Sequence, residues 1–539
     1  MKRAPLAALL ALVAIAIVAA IGVAIAGPGP SPGQEIAGSI GSSASPSVAP
    51  SPSPAAPTPS PSPTPSPLAD VAIVPVAHFR TQVSASSFGE VRSVLDGTSG
   101  RYEAVELVES DADAILAALG LDRPAVPSRL VLAPDATALG EDLSAHRKRL
   151  GFLRADEVRP SVRALSWGPD ALFGVDRVKT LAEWPFVAHV PEDAAPAEPA
   201  YDPAAAWTLF AGGDIMLDRG VAKTVKVDGK GVDFPFDGGT AEITGRTCCS
   251  QFGYDIVQGR RTGNAGAVRA LIESADLALA NFENPAPNNF RWHTTGVVFS
   301  ADPKLIDGLR NAGIDYVSLG NNHIRDAGAN GIAQTIDNLE KRGIAWSGAG
   351  EDLEQARQPA ILEAGGVKVA ILAYDTIAKY YAASVTRAGS AQMSAAVVKA
   401  DVAAARKAGA DLVIVFPHWG VEYDATPFAG QQRLARAAID AGADMVIGNH
   451  AHWAAAMEIY DGKPIWYALG NFVFDQVWSE PTMEGITLEL TFAGTDLRQI
   501  RMRPHIILDR AQPNFLDPAG DGKVVMGQVF GASKGLLDW

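Results

Sequence analysis

The sequence predicts an α/β layered domain in the C-terminal part of the chain, and three observations predict it. Short apolar runs rich in Val, Ile and Leu recur from Thr208 to Ile447; stretches of helical length alternate with them; and between Gly213 and Asp475 an Asp, Glu, Asn or His stands at the end of each run, directly or after a Gly or Pro. Runs of this length and bounding suit parallel strands covered on both faces. Strand alternating with helix is the pattern of a layered α/β domain. In open α/β sheets ligands gather beyond the carboxyl ends of the strands, and the polar residues fall at that edge.

The elements follow in order. Thr208–Ala211 halts at Gly212-Gly213-Asp214, and Asp276–Ala280 at Asn281-Phe282-Glu283-Asn284. Asp315–Leu319 halts at Gly320-Asn321-Asn322-His323, Leu412–Phe416 at Pro417-His418-Trp419-Gly420, and Met445–Ile447 at Gly448-Asn449-His450-Ala451-His452. Helices are expected over Ala267–Ala275, Pro303–Ala312, Asn330–Arg342, Ala391–Ala408 and Phe428–Ala441.

Neutral imidazole, carboxylate and amide oxygen form a ligand set that suits Zn, Mn or Fe better than Ca. His450 and His452, one residue apart in an extended segment, project to the same side and face adjacent ions. Two ions roughly 3.5–4 Å apart clamp both the attacking and the leaving oxygen of a displacement at phosphorus. Taken singly, each residue has a plainer reading. Asp214 suits a helix N-cap, Asn322 a turn, His323 a surface position, and His418, between Phe416 and Trp419, a core histidine. The ordered series favours the metal reading. Asp326 and Asp475 read as partners that orient loops or His rings. Phe282, Trp419, Tyr423, Trp453 and Phe472 read as packing beneath the site, some of them open to a substrate pocket. His293 reads as a residue of the pocket mouth rather than a ligand.

Gly213-Asp214-Ile215-Met216-Leu217-Asp218-Arg219, Asn281-Phe282-Glu283, Asn321-Asn322-His323 with Asp326-Ala327-Gly328, His418-Trp419-Gly420-Val421-Glu422-Tyr423 and Leu469-Gly470-Asn471-Phe472-Val473-Phe474-Asp475 together resemble the poly-γ-glutamate capsule biosynthesis family, CapA type. That family is a branch of the calcineurin-like metallophosphoesterases, and the match runs from about Trp207 to Arg503. The resemblance implies the layered α/β/β/α sandwich of that superfamily. It also implies a divalent transition metal centre: Asp214 and His452 on a first ion, Asn322, His418 and His450 on a second, Glu283 bridging. His323, with Asp326, takes the catalytic role facing the leaving group. Two positions depart from the superfamily pattern: Met216 stands where a His ligand is usual and Glu283 where an Asp is usual. A mononuclear site on Glu283, Asn322, His418 and His450 therefore stays open. The closing motif has Asn449 and Ala451 where the capsule branch often has His and Pro.

Ahead of this domain, Met1-Lys2-Arg3 precedes an uncharged apolar run from Leu6 to Ala26, long enough to cross a bilayer at ~1.5 Å per residue. Basic residues before it favour a cytoplasmic start. Ala24-Ile25-Ala26-Gly27 looks like a signal-peptidase site, so residues 1–26 read as either a cleaved signal or an uncleaved anchor, the length favouring the anchor. Residues 27–67, almost wholly Pro, Ser, Ala, Thr and Gly, read as an extended stalk that cannot bury a core. Residues 68–203 read as a smaller α/β domain of unassigned role, with strands at Val71–Val76 and Arg129–Ala133 and helices at Ala112–Leu119 and Leu143–Leu150. Its Val158–Trp167 stretch is faintly like part of a periplasmic binding-protein lobe. Residues 204–510 read as the main domain and 511–539 as a C-terminal tail.

At 539 residues and 47% hydrophobic content the chain can bury two cores. A formal charge of −15, from 60 acidic and 45 basic residues, argues against nucleic acid. It also repels a polyanion such as polyglutamate unless metal or a local Arg supplies positive charge. The two Cys, adjacent at Cys248-Cys249, form a strained vicinal disulfide or pair between chains, and the Gly-rich Val227–Gly266 stretch around them reads as a long irregular insertion.

The expected function is that of an exported, membrane-tethered protein of capsule or envelope-polymer synthesis. Through its resemblance it would be a metal-dependent hydrolase using metal-bound hydroxide, with one or two ions of Mn, Zn or Fe. Its expected partners are an envelope polymer or phosphoester substrate, the membrane, and other capsule-synthesis proteins. The rival is a non-catalytic polymer-binding or assembly protein on the same fold, for which Met216 speaks. An exporter component is a third reading, and a single apolar segment gives it no pore.

Overall fold

In the computed structural model of the chain, which describes residues 67–192 and 201–539, alternate side chains of single strands serve two different cores, as a strand's period of two dictates. On the strand Ala206–Ile215, Leu209 and Ala211 face a partner sheet while Phe210 faces helices. The neighbouring strands Leu277–Phe282, Tyr316–Ser318 and Ala345–Ser347 pair in parallel beside it. A second sheet carries Val367–Asp375, Leu412–His418, Met445–Ile447 and Lys463–Trp466, also in parallel. Val369, Ile371, Ile414, Phe416 and Ile447 from it meet Leu209, Leu279 and Tyr316 in one buried core between the sheets.

The outer faces are closed by helices at the predicted places. Ala267–Ser274, Ile306–Asn311 and Gly328–Glu340 cover the first sheet through Leu271, Leu309 and Ile336. Ala395–Lys407 and Ala429–Asp440 cover the second through Val402 and Ile439. The result is an α/β/β/α sandwich, with the carboxyl ends of both parallel sets at one edge.

Several expectations are corrected. The first strand does not halt at Gly212; it runs on to Ile215, because Gly213 lets the chain pass against the Gly470 carbonyl, which a Cβ would strike. Residues 511–539 are no loose tail. Gln512–Leu516 pairs with Asp496–Leu508, and the helix Gly522–Ala532 buries Val525, Met526 and Val529 in the inter-sheet core. The Val227–Gly266 stretch is not irregular either, since Thr240–Thr247 and Ile256–Gly263 form an antiparallel hairpin that extends the large sheet. Cys248 and Cys249, joined to each other, sit exposed at its tip.

The smaller domain has its own sheet, in the order Leu130–Ala133, Ala104–Val108, Arg149–Arg154, Leu68–His78, Val162–Ala164, and its own core. Its Ala112–Leu119 helix forms as expected. The expected Leu143–Leu150 helix does not: a helix capped by Asp135 spans Ala136–Ala145, and Leu150 belongs to a strand paired with two neighbours. The domain is fixed to the sandwich by directed bonds. Val175 N–H donates to Glu489 Oε1 at 3.0 Å, Arg501 reaches Asp176 at 2.9 Å, and Ala164 N–H donates to Gln499 Oε1 at 2.8 Å. The signal or anchor at 1–26 and the stalk, apart from Pro67, lie outside the described residues. Among the described residues no helix is long and apolar enough to cross a membrane.

Candidate metal centre

Five strand ends deliver the site. Asp214 lies within the last residues of Ala206–Ile215, and Glu283 follows Leu277–Phe282 directly, tied across by its N–H to the Ile215 carbonyl at 2.8 Å. His418 closes Leu412–His418, Asn322 and His323 stand in the turn after Tyr316–Ser318, and His450 and His452 follow Met445–Ile447. These last two are not in an extended segment. Both have positive φ, 93° and 57°, so a tight turn rather than strand alternation aims their rings. Non-glycine residues held there cost on the order of 1–3 kcal/mol each, and such strain gathers at functional sites.

The side chains converge on Glu283. Its Oε1 lies 3.7 Å from His418 Nε2, 3.6 Å from His452 Nε2 and 3.9 Å from His323 Nε2. His450 Nδ1 is 3.0 Å from His418 Nε2, and His452 Nδ1 is 3.2 Å from Asp214 Oδ2. Ligand atoms about 2.1 Å from one ion lie about 3–3.5 Å from each other; the His418–His450 separation falls in that range, and those of His418 Nε2 and His452 Nε2 from Glu283 Oε1 lie just beyond it. Two groups emerge, Glu283 with His418 and His450, and Asp214 with Glu283 and His452, joined through Glu283.

The donors fit a divalent transition ion. Both Glu283 oxygens and Asn322 Oδ1 are buried with no hydrogen-bond donor, an arrangement that costs free energy unless a cation or donor meets it. Burial, then the neighbouring Asp214 carboxylate, pushes the Glu283 carboxyl well above its usual range. Burial, then His450, holds His418 well below the usual imidazole range, and burial, then His452, does the same to His450. Neutral imidazole is the form that binds a metal ion.

The remaining predicted residues divide. His323 Nδ1 lies 2.8 Å from Asp326 Oδ2, and its Nε2 3.1 Å from Asn322 Nδ2. Asp475 binds no centre; it accepts from Arg219 at 2.5 Å and from Gly220 N–H at 2.8 Å. His293 pairs with buried Asp218 at 2.6 Å. Met216 is fully buried with Phe299, Phe474 and Ile507.

Residue-by-residue reading of ligand types missed three amides and a guanidinium. Asn281 Nδ2 donates to Asp214 Oδ1 at 2.7 Å and lies 3.2 Å from His418 Nδ1. Asn471 Oδ1 meets His452 Nδ1 at 2.9 Å, leaving Nε2 toward Glu283, and Asn321 Nδ2 donates to the Phe282 carbonyl at 2.9 Å. Arg219, at φ 46°, lies over the rings of Phe299 and Phe474. All four stand inside motifs already singled out, and that was the available signal.

Comparison with known proteins follows the same residues. The family model for Bacterial capsule synthesis protein PGA_cap matches residues 208–476, which contain every ligand candidate. The chain is 34% identical over 220 residues to the capsule biosynthesis protein CapA of Bacillus anthracis, covering 39% of this chain and 54% of that one. It thus spans about half the length of that relative. It is 31% identical over 293 residues to a probable polyglutamine synthesis accessory protein of Mycobacterium tuberculosis, covering 50% of this chain and 74% of that one. Among solved structures, the calcineurin-like phosphoesterase YfkN of Bacillus subtilis aligns over 61% of this chain and 97% of its own at 14% identity and a TM-score of 0.32, too slight a likeness to argue from. With the motifs in order and the matched span enclosing the whole centre, the chain belongs to the bacterial capsule synthesis PGA_cap family.

Proposed function

We propose that the protein is a divalent-metal-dependent phosphohydrolase, exported and held outside the cytoplasmic membrane, that acts in the synthesis of a capsule or envelope polymer. The observation that carries the reading is Glu283, buried with both oxygens unpartnered between two groups of ligand-type side chains. Asp214, Glu283 and His452 would hold one ion, and Glu283, His418 and His450, with Asn322, the other. Such an ion supplies positive charge that acidifies water and offsets the charge of a phosphoryl oxygen near neutral pH.

The chain's own groups do the rest. Asn281 orients Asp214 and Asn471 orients the His452 ring, as partners behind a ligand do. Asp326 fixes the His323 ring, so its Nε2 faces Glu283. With 13% of its side chain exposed against 4% or less for Asp214, Glu283, His418 and His452, His323 is the most solvent-accessible of these five. A leaving-group oxygen can take a proton there.

Purified protein assayed on bis-p-nitrophenyl phosphate, before and after a chelator, tests the reading. Hydrolysis that stops with the chelator and returns with Mn or Zn is expected; hydrolysis indifferent to the chelator removes the mechanism.

Met216 favours a second reading, a non-catalytic assembly or polymer-binding protein, because a thioether packed among Phe299, Phe474 and Ile507 replaces a His ligand. Protein that binds Mn or Zn and yet cleaves no phosphoester would support it.

A further inference from the structure

An aromatic wall leads outward from the metal centre. Tyr423 stacks toward His452 at 6.0 Å between ring centroids, and Trp478 meets Tyr423 edge-on at 4.8 Å. Tyr254 and Phe252, from the hairpin tip, meet Trp478 at 5.5 and 4.9 Å. Trp453 closes the group, 6.4 Å from Tyr423 and 6.2 Å from Tyr254. Phe252 remains 58% exposed and Tyr254 39%, so the outer end faces solvent. Contiguous exposed aromatics of this kind mark binding surfaces.

Two further observations bear on the chemistry of the wall. The indole N–H of Trp453 is buried and has no acceptor, where a buried Trp N–H ordinarily finds one. Glu422, Asp424 and Asp255 stand exposed within the same segments, and neither 250–256 nor 421–426 contains a Lys or Arg. Exposed carboxylates repel an anionic chain, accept hydrogen bonds from hydroxyls, and leave the ring faces to pack against C–H surfaces. A neutral polyhydroxylated ring, apolar on its face and hydroxylated at its rim, meets all three requirements.

We propose that this wall is a saccharide subsite. Resting on the phosphohydrolase reading for the chemistry next to it, the inference makes the substrate a phosphoester attached to an uncharged sugar, whose ring lies along Tyr423, Trp478 and the hairpin tip. The hairpin is then the element that supplies specificity, and the sugar binds whether or not the centre is loaded.

Calorimetric titration of the full chain with chitotetraose and with maltotetraose, two uncharged tetrasaccharides, tests it. Binding of at least one is expected, at equal affinity in chelator-treated protein. Trp478→Ala should weaken it at least tenfold, exposed Phe252→Ala about threefold, and Trp453→Phe, which keeps the ring and removes the N–H, about fivefold, each with an unchanged melting temperature. Phe252→Ala keeps the test sound should the Trp478 variant misfold. Failure of both sugars at millimolar concentration, binding unchanged by Phe252→Ala and Trp453→Phe, loss of binding on chelation, or saturable binding of poly-γ-glutamate that Phe252→Ala abolishes would each overturn it. Sugar binding without any phosphoester hydrolysis would instead sink the phosphohydrolase reading and leave the subsite standing.

Discussion

Asp326 accepts at one oxygen, Oδ2, both the His323 ring at 2.8 Å and the Phe299 backbone N–H at 2.9 Å. The second bond holds the carboxylate still, and the first decides which ring nitrogen faces Glu283. Asp326→Asn offers an N–H where an acceptor is needed, so kcat for a phosphodiester should fall by about 10–100-fold. Metal content should not change. His323→Ala, removing the ring itself, should cost about 10²–10⁴-fold. Kinetics alongside elemental analysis checks both, and metal lost in step with activity would contradict this division of roles.

Glu283 makes a prediction of opposite signs. Without a cation its buried carboxylate is a liability, so Glu283→Gln should stabilise chelator-treated protein by about 1–3 kcal/mol. With metal present the order should reverse. Wild type should gain about 2.7 kcal/mol at free metal a hundredfold above Kd, since only the native state binds, while the variant gains little. Melting curves with and without Mn or Zn read all four values.

The bond between the two domains sets a pH dependence. Burial pushes the Glu489 carboxyl up, but Arg501 and then Arg503 outweigh it and hold it at about 2. The folded value is below the unfolded one, so this stabilisation is complete above the ordinary carboxyl range and is lost as pH falls from about 4.5 toward 2. It amounts to about 3 kcal/mol at most. Urea midpoints should therefore drop between pH 5 and pH 3 in wild type and drop less in Glu489→Gln, which should already be the weaker protein at pH 6.

Gly213 is predicted to tolerate no side chain. A Cβ there would strike the Gly470 carbonyl, which also accepts the Asp214 N–H at 3.0 Å. Gly213→Ala should cost about 2–4 kcal/mol and lower metal affinity as Asp214 shifts. Gly527→Ala, mid-helix where an added Cβ meets nothing within 4 Å, is the control: it should leave metal affinity unchanged and raise stability by about 0.5–1 kcal/mol.

Much of the sandwich was legible because its central parallel strands are doubly covered and so uniformly apolar, as in Leu412–Phe416 and Met445–Ile447. The ligand candidates were legible because each stands where such a run ends. The rest was set by tertiary context. Val367–Asp375 went unread as a strand although it pairs with Leu412–His418 throughout, because Asp375 at its end binds Ser390 Oγ at 3.0 Å and not the centre. The positive φ of His450 and His452 has no local sign, since neither is Gly or Asn. Residues 511–539 looked like a tail because Val525, Met526 and Val529 show their purpose only against strands far away in sequence. The roles of Asn281 and Asn471 emerge only once the side chains they orient are in place.

The central claim is that Asp214, Glu283, His418, His450 and His452 hold a transition metal, and elemental analysis of purified protein tests it most directly. The account predicts one or two equivalents of Mn, Zn or Fe per chain, as in the metal sites of hydrolases, and at least one fewer in a folded His418→Ala, His450→Ala variant. Wild-type protein that carries no such metal, takes up none on addition of Mn or Zn, and melts at the same temperature with them as without would contradict it.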